Sequence, residues 1–429
     1  MYKEYERDMK KVLNIKNIGL LIIGILLSVL VINTKEVKAT GTVTWSGPSS
    51  ITIRETINHI AGPITASREY TSFDQPVTIN YTASDLPTNN SITKTTVLDF
   101  SSIDFTDAVP GDYTDQIVAG DLIDSNDNFL SDYITGPSTN YQITLSIRNV
   151  VDANNVPTGN FTASLVLERC EYNESTDEWD NCSKVSPSSG VLYADYSYET
   201  NPDHFGHIEI SKTVNGIGAD TAEYFSMVIT VNNVPGIASS TATYLLDATG
   251  YVYPITGIDA SVSYNGSTIN NPATITVGTP VTIYIKHGQT AVIGQVTKSS
   301  GETFDAIPKG AVYSGKPRSY NRDKAPQIKR LGELADGSWV FGSYFTVSED
   351  AKDYTPSFIV NNGNITSGYS VPNTGIDSGT NTLDFYNEKE MSVVTGIVTI
   401  VLPFIIIVGI SIGGIFLIRY LRNNKLASK

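Results

Sequence analysis

Three side chains of this 429-residue chain can react with one another if the fold brings them together: the amine of Lys212, the carboxyl of Glu349 and the carboxamide of Asn387. In a dry site burial disfavours both charges, so the lysine tends toward a neutral, nucleophilic amine and the glutamate toward a protonated acid. The acid can then hydrogen-bond and polarise the carboxamide, the amine attacks its carbonyl carbon, and ammonia leaves. The product is an internal isopeptide cross-link between Lys212 and Asn387, with Glu349 as its catalyst. Residue types alone favour the ordinary state of such side chains, which is to face solvent.

Positioning them is a task for strands. Most apolar segments alternate with polar residues in the manner of half-buried strands, and few show helical periodicity. Lys212 falls in Ile208–Val214, Glu349 ends Tyr344–Glu349, and Asn387 ends the segment that begins at Thr382; Tyr224–Val231, Thr243–Leu246, Val281–Ile285 and Phe358–Val360 are the other predicted strands of this region. In a sandwich the first and last strands can run side by side, which would set 212 against 387. A bond there closes a loop worth about 5 kcal/mol in chain entropy. It would also carry tension between the ends of the region through a covalent bond. Residues 40–203 alternate likewise over Ile51–Ile57, Val77–Tyr81, Val97–Phe100, Tyr141–Ile147, Phe161–Leu167 and Val191–Tyr198. The expected class is all-β: two tandem immunoglobulin-like sandwiches, 40–203 and 204–390, with the boundary near Asn201-Pro202-Asp203.

The two ends read as export and anchoring signals. Lys10, Lys11 and Lys16 precede an apolar stretch from Ile18 to Ile32, and Val37-Lys38-Ala39 suits a cleavage site, so 1–39 is expected to be a signal peptide, with an uncleaved signal anchor as the alternative. From Val393 to Ile418 there are 26 residues without a charge, against the roughly 20 that a helix needs to cross a bilayer. A transmembrane helix is expected over 397–418, followed by a basic cytoplasmic tail, 419–429, holding Arg419, Arg422, Lys425 and Lys429. The chain's net charge is −15; the first 39 residues carry +3 and the last eleven +4, which leaves −22 between them. Such a surface repels phosphate backbones, so nucleic acid is not expected as a partner. Both cysteines, Cys170 and Cys182, fall in the exported region and are expected to be bridged, closing a short loop.

Other chemistry finds less support. Asp124-Ser-Asn-Asp-Asn128 begins like a calcium loop, but Phe129 stands where glycine belongs and Thr135 where the bidentate glutamate should be. His204 and His207 share a linker without further ligands nearby, so no metal is expected. Lys309, Lys316, Arg318, Arg322, Lys324, Lys329 and Arg330 face one acid, Asp323, in an insertion that is either a solvated loop or a docking patch for an acidic neighbour. No motif argues for turnover of an external substrate and no cofactor is implied.

Ile210–Gly216, Ile285–Ala291, Ile307–Gly310, Tyr344–Glu349 and Leu383–Asn387 resemble, in order, the Cna-B-type isopeptide domain of Gram-positive pilins and adhesins. The resemblance places the family's lysine, acid and asparagine on Lys212, Glu349 and Asn387. Two-domain backbone pilins of this kind end in Val-Pro-Thr-Gly before an apolar span, cut by sortase between Thr and Gly. Here 391–396 holds the variant Val393-Val394-Thr395-Gly396, with valine in place of the proline. Val371-Pro-Asn-Thr-Gly375 looks like a general sorting signal, but cleavage there would remove Asn387, and it reads as a surface turn. The first region resembles the amino-terminal pilin domain more faintly, through Leu98–Phe105 and Val109–Tyr113. Its cross-linking residues are gone: Arg54 and Glu55 occupy the lysine region, Ala119 stands near the acid, and Tyr193–Tyr198 has no asparagine. Lys184 is the nominee for the lysine that accepts a preceding subunit.

The resemblance implies a cell-surface structural protein of a Gram-positive bacterium, not an enzyme. Its expected partners are sortase, neighbouring pilin subunits or peptidoglycan, the membrane, and a host or surface ligand. The alternative is a membrane-anchored adhesin or binding stalk that sortase does not process.

Overall fold

The computed structural model describes residues 42–103, 109–125, 129–130, 133–137, 139–173, 178–237, 244–298, 300–314, 332–390 and 396–426. Among them the regular structure is strand, apart from a 3₁₀ turn at Pro202–His204 and an α-helix at Gly396–Leu426. The expected signal peptide 1–39, most of the sorting motif 391–396 and the basic insertion from Lys316 to Arg330 lie outside the described residues; Lys309 is described and exposed.

Strand pairing divides at the turn Pro202–His204. Before it, one sheet runs through Pro157–Asn173, Thr139–Val151, Gly111–Ala119, Ala66–Ser72 and Gln75–Tyr81, and a second through Ser91–Asp99, Ser50–Asn58 and Leu192–Thr200. After it, one sheet is centred on Thr290–Ile293, Phe205–Gly216, Gly379–Lys389 and Thr355–Val360, and the other on Val281–Lys286, Tyr224–Val234 and Trp339–Glu349. Alternation explains the layering. Ile51, Ile53 and Ile57 point inward from Ser50–Asn58 and meet Ile117, Ile143 and Leu145 from the opposite sheet in one core, as successive side chains on a strand must face opposite ways.

Both halves share one topological feature. Leaving aside the short strand Val43–Trp45, which pairs with Phe161 to Ala163, the opening and closing strands lie side by side and parallel: Ile51 to Asn58 against Leu192 to Glu199 in the first half, Gly206 to Gly216 against Gly379 to Lys389 in the second. The core continues across the junction, where Tyr133 meets Phe205 edge-on at 5.9 Å and His59 stacks on Phe304 at 4.8 Å. Gly62 lies so close to Tyr251 that a Cβ would sit 1.9 Å from its ring, so only glycine permits this docking.

Several expectations need correction. Ala66–Ser72 and Gly111–Ala119 are strands that apolar alternation does not reveal, because their exposed faces are mostly polar and few inward residues are aliphatic. The segment Val371–Gly375 is no turn: Ser370–Gly375 pairs with Tyr344 to Ser348 at a sheet edge, and Pro372 falls where the register slips, a place that tolerates a missing N–H. His207 belongs to the opening strand and not to a linker; it is buried between Asp305, at 2.8 Å, and Glu209, at 3.4 Å. The expected disulfide Cys170–Cys182 is present, joining the hairpin strands Pro157–Asn173 and Glu178–Lys184.

Among the described residues no helix is long and apolar enough to cross a membrane. The region expected to span, 397–418, is therefore established as helix and not as a crossing.

Candidate functional site

Inward-facing charges are the signal that singles out the site. On Phe205–Gly216 the residues Ile208, Ile210, Lys212 and Val214 share a parity and are all buried, so a lysine stands where an aliphatic residue is expected. Asn387 shares its parity with Leu383 and Phe385, and Glu349 with Phe345 and Val347. Lys212 pairs with Phe385 and Asn387 with Val214, so lysine and asparagine are diagonal neighbours on one face of the parallel pair. Glu349, opposite Met227 on the facing sheet, reaches them across the core.

All three are almost wholly withdrawn from water: Lys212 is 1 % exposed, Glu349 4 % and Asn387 1 %. Lys212 Nζ contacts Glu349 Oε1, and Asn387 Nδ2 donates to the same oxygen at 3.0 Å. Phe225 and Phe385 wall the amine, their ring centroids 4.5 and 5.8 Å from Nζ. Burial lowers the Lys212 pKa to about 8 against the opposing pull of Glu349, and burial raises that of Glu349 although Lys212 opposes it. Both shifts favour the neutral forms.

Hydrogen-bond accounting points the same way. Glu349 Oε2 and Asn387 Oδ1 have no hydrogen-bond partner among the described residues. Two buried acceptors without donors are costly, and an ionised carboxylate adds none. A proton on Glu349 supplies one donor, and turning the carboxamide over would set its oxygen toward that acid, the orientation in which it is polarised.

The other nominated residues are dispersed. Lys184 is exposed, pairing opposite Glu168 at the end of its hairpin strand. Arg54 is exposed and bonds Asp195 through two nitrogens, at 2.8 and 2.7 Å. Ala119 pairs beside Tyr70. Thr395 lies outside the described residues, and Gly396 begins the helix. Among the described residues there is no group of side chains suited to a metal ion.

One buried cluster lies apart from the expected site residues. Glu55, fully buried on the first half's opening strand, accepts from Arg68 Nε at 3.1 Å and from Tyr70 OH at 2.6 Å. Arg68 also donates to Gly120 O at 2.8 Å and lies 4.0 Å over the Tyr198 ring. The sequence carries the same signal here: Ile51, Ile53, Glu55 and Ile57 share one parity.

No protein-family model matches the chain, and no curated protein matches it. Among solved structures it is similar to the major pilin of Streptococcus pyogenes, at 13 % identity over 80 % of this chain and 99 % of that one, with a TM-score of 0.41. It is similar also to the T3.2 major pilin of Streptococcus pyogenes, at 14 % identity, the same coverage and a TM-score of 0.40. A pilus-presented adhesin matches at 11 % identity over 81 % of this chain and all of that one, with a TM-score of 0.26. At such values the chemistry has to be read from the residues.

Proposed function

We propose that this chain is a pilin-like structural subunit of a Gram-positive cell surface, whose second half, a Cna-B-like domain, welds its own opening and closing strands through a Lys212–Asn387 isopeptide bond. The observation that carries the reading is the dry contact of Glu349, on the facing sheet, with both Lys212 and Asn387 on the two parallel strands. Lys212 Nζ, as a neutral amine, attacks Asn387 Cγ while Glu349 in its acid form stabilises the carboxamide oxygen. The new N–Cγ bond forms, the Cγ–Nδ2 bond breaks, and Glu349 relays a proton from the lysine nitrogen to the departing ammonia. No co-reactant is consumed and no cofactor is needed.

Export and attachment complete the reading: a signal peptide over 1–39, sortase cleavage between Thr395 and Gly396, and Lys184 as acceptor for a neighbouring subunit. A membrane anchor before processing is supported by Ile406–Ile418, where apolar side chains are exposed around the helix and no charged residue intervenes. The second reading, a membrane-held adhesin that is never cut, draws its support from Val394, which lacks the fixed φ of proline.

Intact mass tests the cross-link directly. The second half is expected one ammonia below its sequence mass, and Glu349→Ala at full mass; a wild type at full mass removes the proposal. On cells, an SDS-resistant ladder supports polymerisation, whereas a single detergent-extracted band favours the anchored stalk.

A further inference from the structure

Beside the reacting groups, on the side away from Phe385 of the main core, stands a second apolar cluster. Val214, Phe225 and Tyr354 form a small apolar cluster of their own, joined by Ala219. Phe225 faces the Lys212 amine, and Tyr354 packs edge-on against Phe225 with centroids 5.2 Å apart. Tyr354 is carried by the crossover 350–354. This segment leaves the strand ending at Glu349 and enters the opposite sheet at Thr355, which pairs with Glu388, while Pro356 pairs with Asn387. One short connection therefore joins the acid to the neighbour of the asparagine and covers the gap between them.

Glu223 holds that connection down. Its Oε1 accepts from Lys352 Nζ and its Oε2 from Tyr354 OH, both at 3.0 Å. Lys352 Nζ also donates to Tyr224 O at 2.9 Å, and Tyr354 OH accepts from Asp220 N at 3.1 Å. Lys352 sits at φ 51°, a conformation a lysine keeps only when its surroundings hold it.

We propose that Glu223 is a positioning residue for cross-linking: by clasping Lys352 and Tyr354 it keeps the crossover closed over Phe225 and keeps water from Lys212, Glu349 and Asn387. The inference rests on the reading that these three residues react. Its physical basis is that the reaction depends on desolvation: water entering beside Tyr354 stabilises the ammonium and removes the nucleophile. Glu223 and Lys352 are 28 % and 20 % exposed, and pairs so close to solvent add little to global stability. Their effect is therefore on the site more than on the fold.

The test follows loss of ammonia by intact mass in the full chain made by cell-free synthesis with detergent, with the folded fraction measured in each sample by limited proteolysis. Glu223→Ala is expected to slow conversion by about tenfold or more at equal folded fraction. Tyr354→Phe, which keeps the ring, is expected to be slowed less than Tyr354→Ser. Conversion of Glu223→Ala at the wild-type rate overturns the clasp and leaves the cross-link standing. Should Glu223→Ala fail to fold, wild-type rates for both Lys352→Met and Tyr354→Phe, which between them remove the two contacts of Glu223, overturn the clasp just as directly. A wild type that never loses ammonia removes the cross-link itself, which is a different failure.

Discussion

The two halves answer the same structural problem differently. Each sets a charged residue on the inner face of its opening strand, with a polar or aromatic residue two places further along on the parallel closing strand. In the first half Glu55 pairs with Tyr196 and Tyr198 with Ile57; in the second Lys212 pairs with Phe385 and Asn387 with Val214. The offsets are equal. Around Glu55, however, both carboxylate oxygens have donors, and Arg68 is bonded and stacked. Burial opposes the charge on Arg68, but the adjacent Glu55 outweighs it and raises the pKa, while burial and Glu55 push the Tyr70 phenol far up. Around Lys212 the same slot leaves Glu349 Oε2 and Asn387 Oδ1 without donors. A satisfied buried pair is inert, whereas an under-satisfied one shifts toward neutral forms that can react.

The largest effect should come from breaking the second slot. Glu349→Ala is expected to lower the melting temperature of the second half by roughly 10–20 °C, since about 5 kcal/mol of loop entropy is lost. The first half's transition should stay in place; calorimetry resolving both transitions checks this, and an equal fall in both would refute a local cross-link. Next, Arg68→Met strands Glu55 in the core and should destabilise the first half by about 3–5 kcal/mol in urea titration. Converting the slot wholly to apolar groups, Glu55→Leu with Arg68→Met and Tyr70→Phe, should be near neutral or stabilising by comparison. If the triple variant is no better than Arg68→Met alone, satisfaction of the pair is not what keeps the first half together.

Reducing Cys170–Cys182 should cost the first half at most about 3 kcal/mol, because the closed loop is short and lies in one hairpin. The smallest effect concerns His207. Burial works against its charge, but the hydrogen bond it donates to Asp305 and the contact with Glu209 win, and the folded pKa rises above 6.5. A raised folded pKa contributes stability that is complete below the unfolded value and fades as pH climbs through the folded one. The second half should therefore lose a small increment of stability on going above that range, and His207→Gln should flatten the profile.

Much of this was legible residue by residue. The strands bearing Lys212, Glu349 and Asn387 follow from their alternation, and the disulfide from cysteine number and export. Ala66–Ser72 and Gly111–Ala119 escaped because Arg68, Glu69, Asp112 and Asp115 dilute the apolar pattern. Val371–Gly375 escaped because turn formers are also tolerated at an edge where a register slip frees the proline. The Glu55 cluster escaped for a subtler reason. The parity of Glu55 marks it as inward, but its partners Arg68 and Tyr70 lie on Ala66–Ser72, a strand the apolar pattern does not reveal.

By itself the sequence determined the strand periods, the parity of each charged residue and the reagents for an isopeptide bond, because these depend on near neighbours and side-chain chemistry alone. Only the tertiary structure decided that Glu349 meets Lys212 and Asn387 while Arg68 meets Glu55. Those partners come from other strands, where packing and the exclusion of water determine whether a buried charge is matched by donors or left reactive.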